Sequence, residues 1–137
     1  MGPVLDEVLL GGPVDRGFDS FFGMRASTDI PPYFYIRDRE AEAKPTQQIG
    51  RRENVPDRRM SWQAGACAPG FVHTEVLPNM LKETVTLIQD HAEQSKDKPL
   101  FIYLALPAPH TPLVPSEKFA GKSEIGAYGD FVMEIDD

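Results

Sequence analysis

The residue best placed for chemistry in this sequence is His110, which lies within Pro107-Ala108-Pro109-His110-Thr111-Pro112. Each proline fixes the backbone angle φ and removes a hydrogen-bond donor, so a strand must end where this segment begins. The pattern predicts a stiff turn over residues 107–115 that presents one ionisable imidazole. A histidine in a loop can also be a purely structural surface residue, and position alone leaves both interpretations open.

The segment before this turn is the element that must position it. Residues 100–106 form the continuous apolar run Leu-Phe-Ile-Tyr-Leu-Ala-Leu, bounded by Pro99 and Pro107. The run is too short to cross a membrane and does not alternate between apolar and polar residues. It predicts a strand over 99–106 that is buried on both faces, as in a parallel sheet. Ligand sites of such sheets lie at the carboxyl ends of the strands, which is where His110 is expected.

A helix is predicted directly upstream, over residues 74–94. Apolar residues recur there at steps of three and four, while charged residues fall on the other side; the apolar positions are Leu77, Met80, Leu81, Thr84, Val85 and Ile88. A charged turn at 95–98 then leads into the apolar run. Helix, short turn and apolar strand form the second half of a βαβ unit, which indicates an α/β fold.

The remaining elements are shorter. Residues 17–23 and 33–36 are aromatic runs that predict two short strands, and an amphipathic segment that begins near Tyr128 predicts a second helix. Residues 41–71 are polar and have no sustained period, which predicts a long loop excursion that Met60 and Trp62 could anchor. One buried strand with at most two short companions makes an incomplete sheet, typical of part of a larger domain.

Charge and composition narrow the function classes. The chain of 137 residues has 14 basic and 21 acidic residues and a formal charge of -7, which argues against nucleic-acid or membrane-surface partners. The one basic cluster, at residues 51–59, is interpreted as a solvated loop, with an anion-binding patch as the minor alternative. No segment is long enough to span a bilayer, and the first twelve residues lack the features of a signal peptide.

Other residues with reactive side chains receive structural interpretations. His73 and His91 flank the predicted helix and share no metal-ligand spacing with His110, so no metal site is predicted. Asp136 and Asp137 are adjacent, and adjacent side chains on a helix point in different directions. Cys67 is the only cysteine and is expected to be a structural thiol.

Four blocks of the sequence resemble the arylsulfatases, a branch of the sulfatase family in the alkaline-phosphatase-like superfamily. The blocks cover nearly the whole chain in the family's order, and they are GFDSFFG at 17–23, APGF at 68–71 with VLP at 76–78, PLFIYL at 99–104 with PAPHTP at 107–112, and GAYGD at 126–130 with VMEID at 132–136. Together they identify the chain as an interior portion, 1–137, of the N-terminal catalytic domain of a sulfatase.

The resemblance implies a partial α/β/α sandwich and a hydrolase that cleaves sulfate esters with a calcium ion and a formylglycine nucleophile. His110 matches the family histidine that contacts the sulfate, so it is the candidate catalytic and substrate-binding residue. An imidazole that titrates near neutral pH can donate a proton to the leaving oxygen. Cys67-Ala68-Pro69 resembles the nucleophile signature but has Phe71 where that signature requires arginine, so Cys67 is rejected as nucleophile.

The calcium ligands and the formylglycine are expected outside this chain, in the remainder of the parent sulfatase. The isolated segment is therefore expected to be inactive, since one histidine cannot replace a nucleophile and a metal. Two alternatives remain open, a phosphatase or phosphonate hydrolase of the same superfamily and a truncated, non-catalytic interaction protein. Family members are usually secreted, lysosomal or periplasmic, but the sequence assigns no compartment to this chain.

Overall fold

The computed structural model describes residues 8–95 and 97–137. The described residues form five short strands and two α-helices: β1 (Phe22–Met24), β2 (Tyr35–Arg37), β3 (Glu40–Ala41), β4 (Gln47–Ile49), β5 (Gly65–Cys67), α1 (Val76–Gln94) and α2 (Ala127–Asp136). Single turns of 3-10 helix occur at Pro13–Arg16, Arg58–Met60 and His73–Glu75. This mixture agrees with an α/β fold. No helix in the described residues is long and apolar enough to cross a membrane.

The strands form two small antiparallel sheets. The first has the order β1-β2-β3, with Gly23 opposite Ile36, and the second pairs β4 with β5. Tyr33 joins the two sheets, because its N–H donates to the carbonyl of Ala66 at 2.9 Å and its carbonyl accepts from the N–H of Ala68 at 2.8 Å. The aromatic run at 33–36 therefore continues from one sheet into the other.

Two apolar clusters hold these elements together. The first lies between the sheets and the start of α1 and contains Tyr33, Phe34, Ile36, Cys67, Ala68, Phe71, Val76 and Met80. The second joins α1, α2 and the segment after His110, and its buried members are Leu77, Leu113, Val114 and Phe131. Met60 and Trp62 pack against the second cluster, as the sequence predicted for the anchors of the 41–71 segment.

The predicted helix over 74–94 begins as a 3-10 turn and continues as α1 from Val76. Its apolar face is buried only at the amino-terminal end, where Leu77 and Met80 are 6% and 8% exposed. Leu81, Val85 and Ile88 are about half exposed, although the same periodicity places them on the face predicted to be buried. The described residues provide no element that covers this part of the helix.

Residues 99–106 differ from the prediction of a buried strand. They are not assigned to a strand in the structure, and Phe101 and Tyr103 are 77% and 74% exposed. A strand is stabilised by hydrogen bonds to its neighbours, and the described residues supply no neighbouring strand for this segment. The sheets that do form are antiparallel rather than parallel. A buried strand here in a complete domain stays a prediction.

Residues 41–71 also differ from the prediction of a structureless loop. They contain β4, the Arg58–Met60 turn and β5, and β4 pairs with β5 in the register Gln47 to Cys67. The sequence shows no alternation there because Gln47 and Gln48 are exposed and Gly65 has no side chain. This segment is therefore a folded part of the body, and it packs beside the turn that holds His110.

Candidate active site

The turn at 107–115 is fixed to the body on its carboxyl-terminal side. Pro112, Leu113 and Val114 are buried, and the N–H of Leu113 donates to the carbonyl of Arg59 at 2.7 Å. Leu106 and Ala108, on the other side of His110, pack against the second apolar cluster. The polypeptide is thus held on both sides of His110 by apolar contacts, and one hydrogen bond ties it to the Arg58–Met60 turn.

His110 itself is exposed at the tip of this turn. Its Nδ1 atom lies 2.8 Å from the carbonyl oxygen of Thr111. A carbonyl oxygen only accepts hydrogen bonds, so Nδ1 carries the proton and donates it. In the neutral ring Nε2 then has a free lone pair, and in the protonated ring Nε2–H is a free donor. The geometry leaves Nε2 available to a ligand at the surface.

His73 lies in a very different environment. It is 3% exposed, stacks on Trp62 with ring centroids 3.8 Å apart, and meets Tyr33 and Phe71 edge-on. Among the described residues neither ring nitrogen has a hydrogen bond of normal geometry, although the backbone of Thr28 lies close enough to act on the ring. Burial lowers the pKa of His73 to about 4, so the ring is neutral at pH 7.

This buried ring is connected to the site through a small cavity. The cavity is lined by His73 together with Pro107 and Val114, which lie in the turn on either side of His110, and by residues of α1 and α2. His73 therefore supports the packing under the turn rather than facing solvent. The sequence predicted a structural role for His73, and its aromatic surroundings come from segments 40 residues apart that no local pattern links.

The other sequence candidates also have structural positions. Cys67 is buried in β5 within the first cluster. His91 lies near the end of α1, where Nε2 donates to the carbonyl of Lys98 at 2.8 Å, and Asp137 pairs with Lys118. Across residues 8–95 and 97–137, no three His, Cys, Asp or Glu side chains come together in a group that could hold a metal ion.

The structure adds one feature that sequence reasoning undervalued. Arg59, counted within a solvated loop, provides the carbonyl that fixes Leu113. Its guanidinium pairs with both oxygens of Asp57, because Nε donates to Oδ1 at 3.1 Å and Nη2 donates to Oδ2 at 2.6 Å. Asp57 also accepts from the N–H of Arg59 at 2.9 Å and so caps the 3-10 turn. The Asp-x-Arg spacing in the sequence is enough to predict this local cap. Nothing in the spacing predicts the hydrogen bond between Leu113 and Arg59.

The chain belongs to the sulfatase family, whose model matches residues 10–137. It is 34% identical to N-acetylgalactosamine-6-sulfatase of Mus musculus over 137 residues, covering 91% of this chain and 22% of that protein. It is 28% identical over 78 residues to N-acetylgalactosamine-6-O-sulfatase of Bacteroides thetaiotaomicron, covering 57% of this chain and 14% of that protein. Arylsulfatase D of Homo sapiens is 46% identical to the chain over 57 residues, which cover 42% of this chain and 9% of that protein. The chain thus spans about a fifth of the first of these relatives.

Family membership implies an alkaline-phosphatase-like α/β fold, and sulfatases generally depend on calcium and a formylglycine. Calcium takes six to eight oxygen ligands, mostly from carboxylates and carbonyls. The described residues do not fit that requirement, because they bring no suitable group of acidic side chains together. No step of a reaction is therefore assigned to a metal held by this part of the chain.

Proposed function

We propose that this chain is an interior part of the catalytic domain of a sulfuric ester hydrolase and that His110 is its catalytic and substrate-binding residue. The observation that carries the proposal is an exposed imidazole with a free Nε2, on a turn fixed on both sides. Membership of the sulfatase family supports the reaction class. The names of the relatives favour a sulfated sugar or an aryl sulfate as the substrate class.

The chemistry follows from the protonation of the ring. Cleavage of a sulfate ester releases an alcohol or phenol whose oxygen gains negative charge as the bond to sulfur breaks. A protonated His110 can bind the ester through Nε2–H and transfer that proton to the leaving oxygen. The hydrogen bond from Nδ1 to the Thr111 carbonyl orients the ring for both tasks. The nucleophile and the metal must come from other parts of the protein.

The 137-residue chain by itself is expected to be inactive toward sulfate esters. The positions that would attack the sulfur and neutralise the sulfate have no counterpart among the described residues, where Cys67 is buried and no metal cluster forms.

The two alternative functions are separated by the sequence on either side of this segment. A Cys/Ser-x-Pro-x-Arg motif upstream and an Asp-Asn pair downstream support the sulfatase. A different nucleophile favours the phosphatase or phosphonate hydrolase, and start and stop codons that closely bound the segment favour a non-catalytic protein.

The decisive variant is His110→Ala in the complete enzyme. Loss of a general acid lowers kcat by roughly 10²–10⁴-fold, and the loss should be larger for an alkyl sulfate than for a 4-nitrophenyl sulfate, since the better leaving group needs less protonation. His110→Gln should restore binding without restoring turnover of the alkyl ester, because an amide can donate a hydrogen bond but cannot transfer a proton.

His91→Gln is the matched control, because it removes a histidine that lies outside the turn. It should leave kcat for both esters unchanged. A His110→Ala enzyme whose kcat falls by less than a few-fold for both esters would contradict the proposed role, whatever the flanking sequence contains.

A further inference from the structure

A second concave feature lies beside the turn and is built from the arginine-rich part of the 41–71 segment. It is an open depression of about 200 Å³, lined by Arg51, Arg52, Glu53, Asn54, Val55, Arg58 and Ser61. Its walls carry three guanidinium groups and one carboxylate, an excess of two positive charges. The whole chain has a charge of -7, so this local excess has the opposite sign to the rest of the molecule.

The acidic residues near the depression do not cancel this charge. Glu53 lies 3.5 Å from Arg51, and both side chains are more than 60% exposed, so the pair is weak. Asp57 pairs with Arg59, which is not part of the lining. No ion pair to an acidic side chain is found for Arg52 or Arg58 in the described part of the chain. Two guanidinium groups therefore remain available to an anion.

Arg52 is held in place by its neighbours. The guanidinium carbon of Arg52 lies 5.1 Å from the centroid of the Trp62 ring. The backbone N–H of Arg52 donates to the Trp62 carbonyl at 3.2 Å. Trp62 is fixed in turn by stacking on His73 and by donating from Nε1 to the carbonyl of Gly50 at 3.1 Å. A guanidinium that is already oriented loses less entropy when it binds a ligand.

The depression is connected directly to the turn that presents His110. Arg58 begins the 3-10 turn Arg58–Met60, and the next residue, Arg59, accepts the hydrogen bond from Leu113. Leu113 is three residues after His110. The arginine-lined wall and the candidate catalytic turn are thus adjacent along the backbone to one 2.7 Å hydrogen bond that joins the two segments.

We propose that this depression binds a second anionic group, a sulfate or a carboxylate, of the same ester whose scissile sulfate meets His110. This inference rests on the proposed function. Arginine suits the task because its planar fork donates two parallel hydrogen bonds to sulfate or carboxylate oxygens. The depression then selects esters with several negative charges, such as a multiply sulfated oligosaccharide, over esters with only the scissile sulfate.

The test compares two sugar sulfates in the complete enzyme, one with a single sulfate and one with a second sulfate on the neighbouring sugar. The double variant Arg52→Gln/Arg58→Gln removes the two available guanidinium groups and should lower kcat/KM for the disulfated ester at least about tenfold, since a lost charged hydrogen bond is worth that factor or more. Its kcat/KM for the monosulfated ester should change less than about twofold, because that ester does not reach the depression. Arg16→Gln removes an exposed arginine elsewhere and is the charge control.

A direct binding measurement separates this inference from the proposed function. Isothermal titration calorimetry on the complete protein measures binding without depending on turnover. A disulfated disaccharide should give a saturable change whose Kd rises about tenfold in the double variant but not in Arg16→Gln. Circular dichroism of each variant is the control that checks whether it is folded.

The outcomes are distinct. If the double variant lowers kcat/KM for both esters equally, or if Arg16→Gln weakens binding as much, the inference is wrong although the enzyme can still be a sulfatase. If the complete protein hydrolyses neither ester but the disulfated disaccharide binds with the expected arginine dependence, the proposed function fails and the anion site stands. If no arginine-dependent binding occurs in either measurement, the site does not exist.

Discussion

At the scale of single residues, His73 is the most unusual side chain of the structure. A buried polar group without a hydrogen bond costs free energy, and a charged one costs more. The ring is nevertheless retained among Trp62, Tyr33 and Phe71, where its flat faces and edges fill the aromatic cluster. The nearby positive charge of Arg52 adds to burial in disfavouring protonation. His73 is thus stable only as the neutral ring.

This environment predicts a loss of stability in acid. The pKa of His73 is lowered from 6.5 in the unfolded chain to about 4 in the folded chain, so the unfolded state binds an extra proton between these values. The contribution of neutral His73 to the free energy of unfolding is complete above pH 6.5. It is lost as the pH falls toward 4, and the total loss is about 3 kcal/mol. Urea unfolding at pH 7 and pH 4.5 measures it.

The variant His73→Phe should remove most of this dependence, because phenylalanine keeps the stacking but cannot be protonated. At pH 7 it should be at least as stable as the wild type, since no unpaired polar group remains. His91→Gln, outside the aromatic cluster, should keep the acid loss. An unchanged pH dependence in His73→Phe would refute this explanation.

At the scale of elements, α2 depends on a close contact with the loop that precedes it. The carboxylate of Asp130 accepts from the N–H groups of Gly121 and Ser123 at 2.8 and 2.6 Å, and these bonds lower the pKa of Asp130. They draw the loop tightly over the first turn of the helix. Gly129 is buried under it, and a Cβ there would overlap the side chains of Ser123 and Ile125.

Gly129→Ala should therefore destabilise the protein although alanine is the better helix former. The overlap costs about 1–3 kcal/mol, which outweighs a gain of about 1 kcal/mol in helix propensity. Gly50→Ala is the matched control, because a Cβ at Gly50 meets no atom within 4 Å, and it should be neutral or slightly stabilising. Thermal unfolding compares the two, and equal melting temperatures would show that the loop can move away.

At the scale of the whole molecule, two apolar surfaces have no cover among the described residues. They are the carboxyl-terminal face of α1, with Leu81, Val85 and Ile88, and the extended segment that contains Phe101 and Tyr103. Apolar surface of this kind usually contacts another protein element. The first relative is several times longer than this chain, and we expect the rest of a sulfatase domain to cover both surfaces.

The 137-residue chain should accordingly self-associate in solution. Phe101→Lys/Tyr103→Lys should shift sedimentation toward the monomer and reduce binding of the dye ANS, because charge replaces exposed aromatic area. Leu10→Lys is the control, since Leu10 is 80% exposed outside both surfaces, and it should change association much less. A wild-type chain that is monomeric and does not bind ANS would contradict this expectation.

The sequence by itself determined the features that depend on neighbouring residues. The helical period at 74–94 and the segment near Tyr128 give the two helices to within two residues, since helical hydrogen bonds span only four positions. The prolines around His110 predicted a turn, and the structure has no regular secondary structure at 107–115. The resemblance to sulfatases is carried by such local blocks, and the family match confirms it.

Only the tertiary structure decided which distant residues meet. The pairing of β4 with β5, the stacking of Trp62 on His73 and the hydrogen bond from Leu113 to Arg59 join positions that no period relates. Burial of residues 99–106 depends on tertiary structure in the same way, because a strand needs partners and the described residues do not provide them. Local order is encoded in short stretches of sequence, whereas burial, pairing and charge around a site depend on what the rest of the chain places beside them.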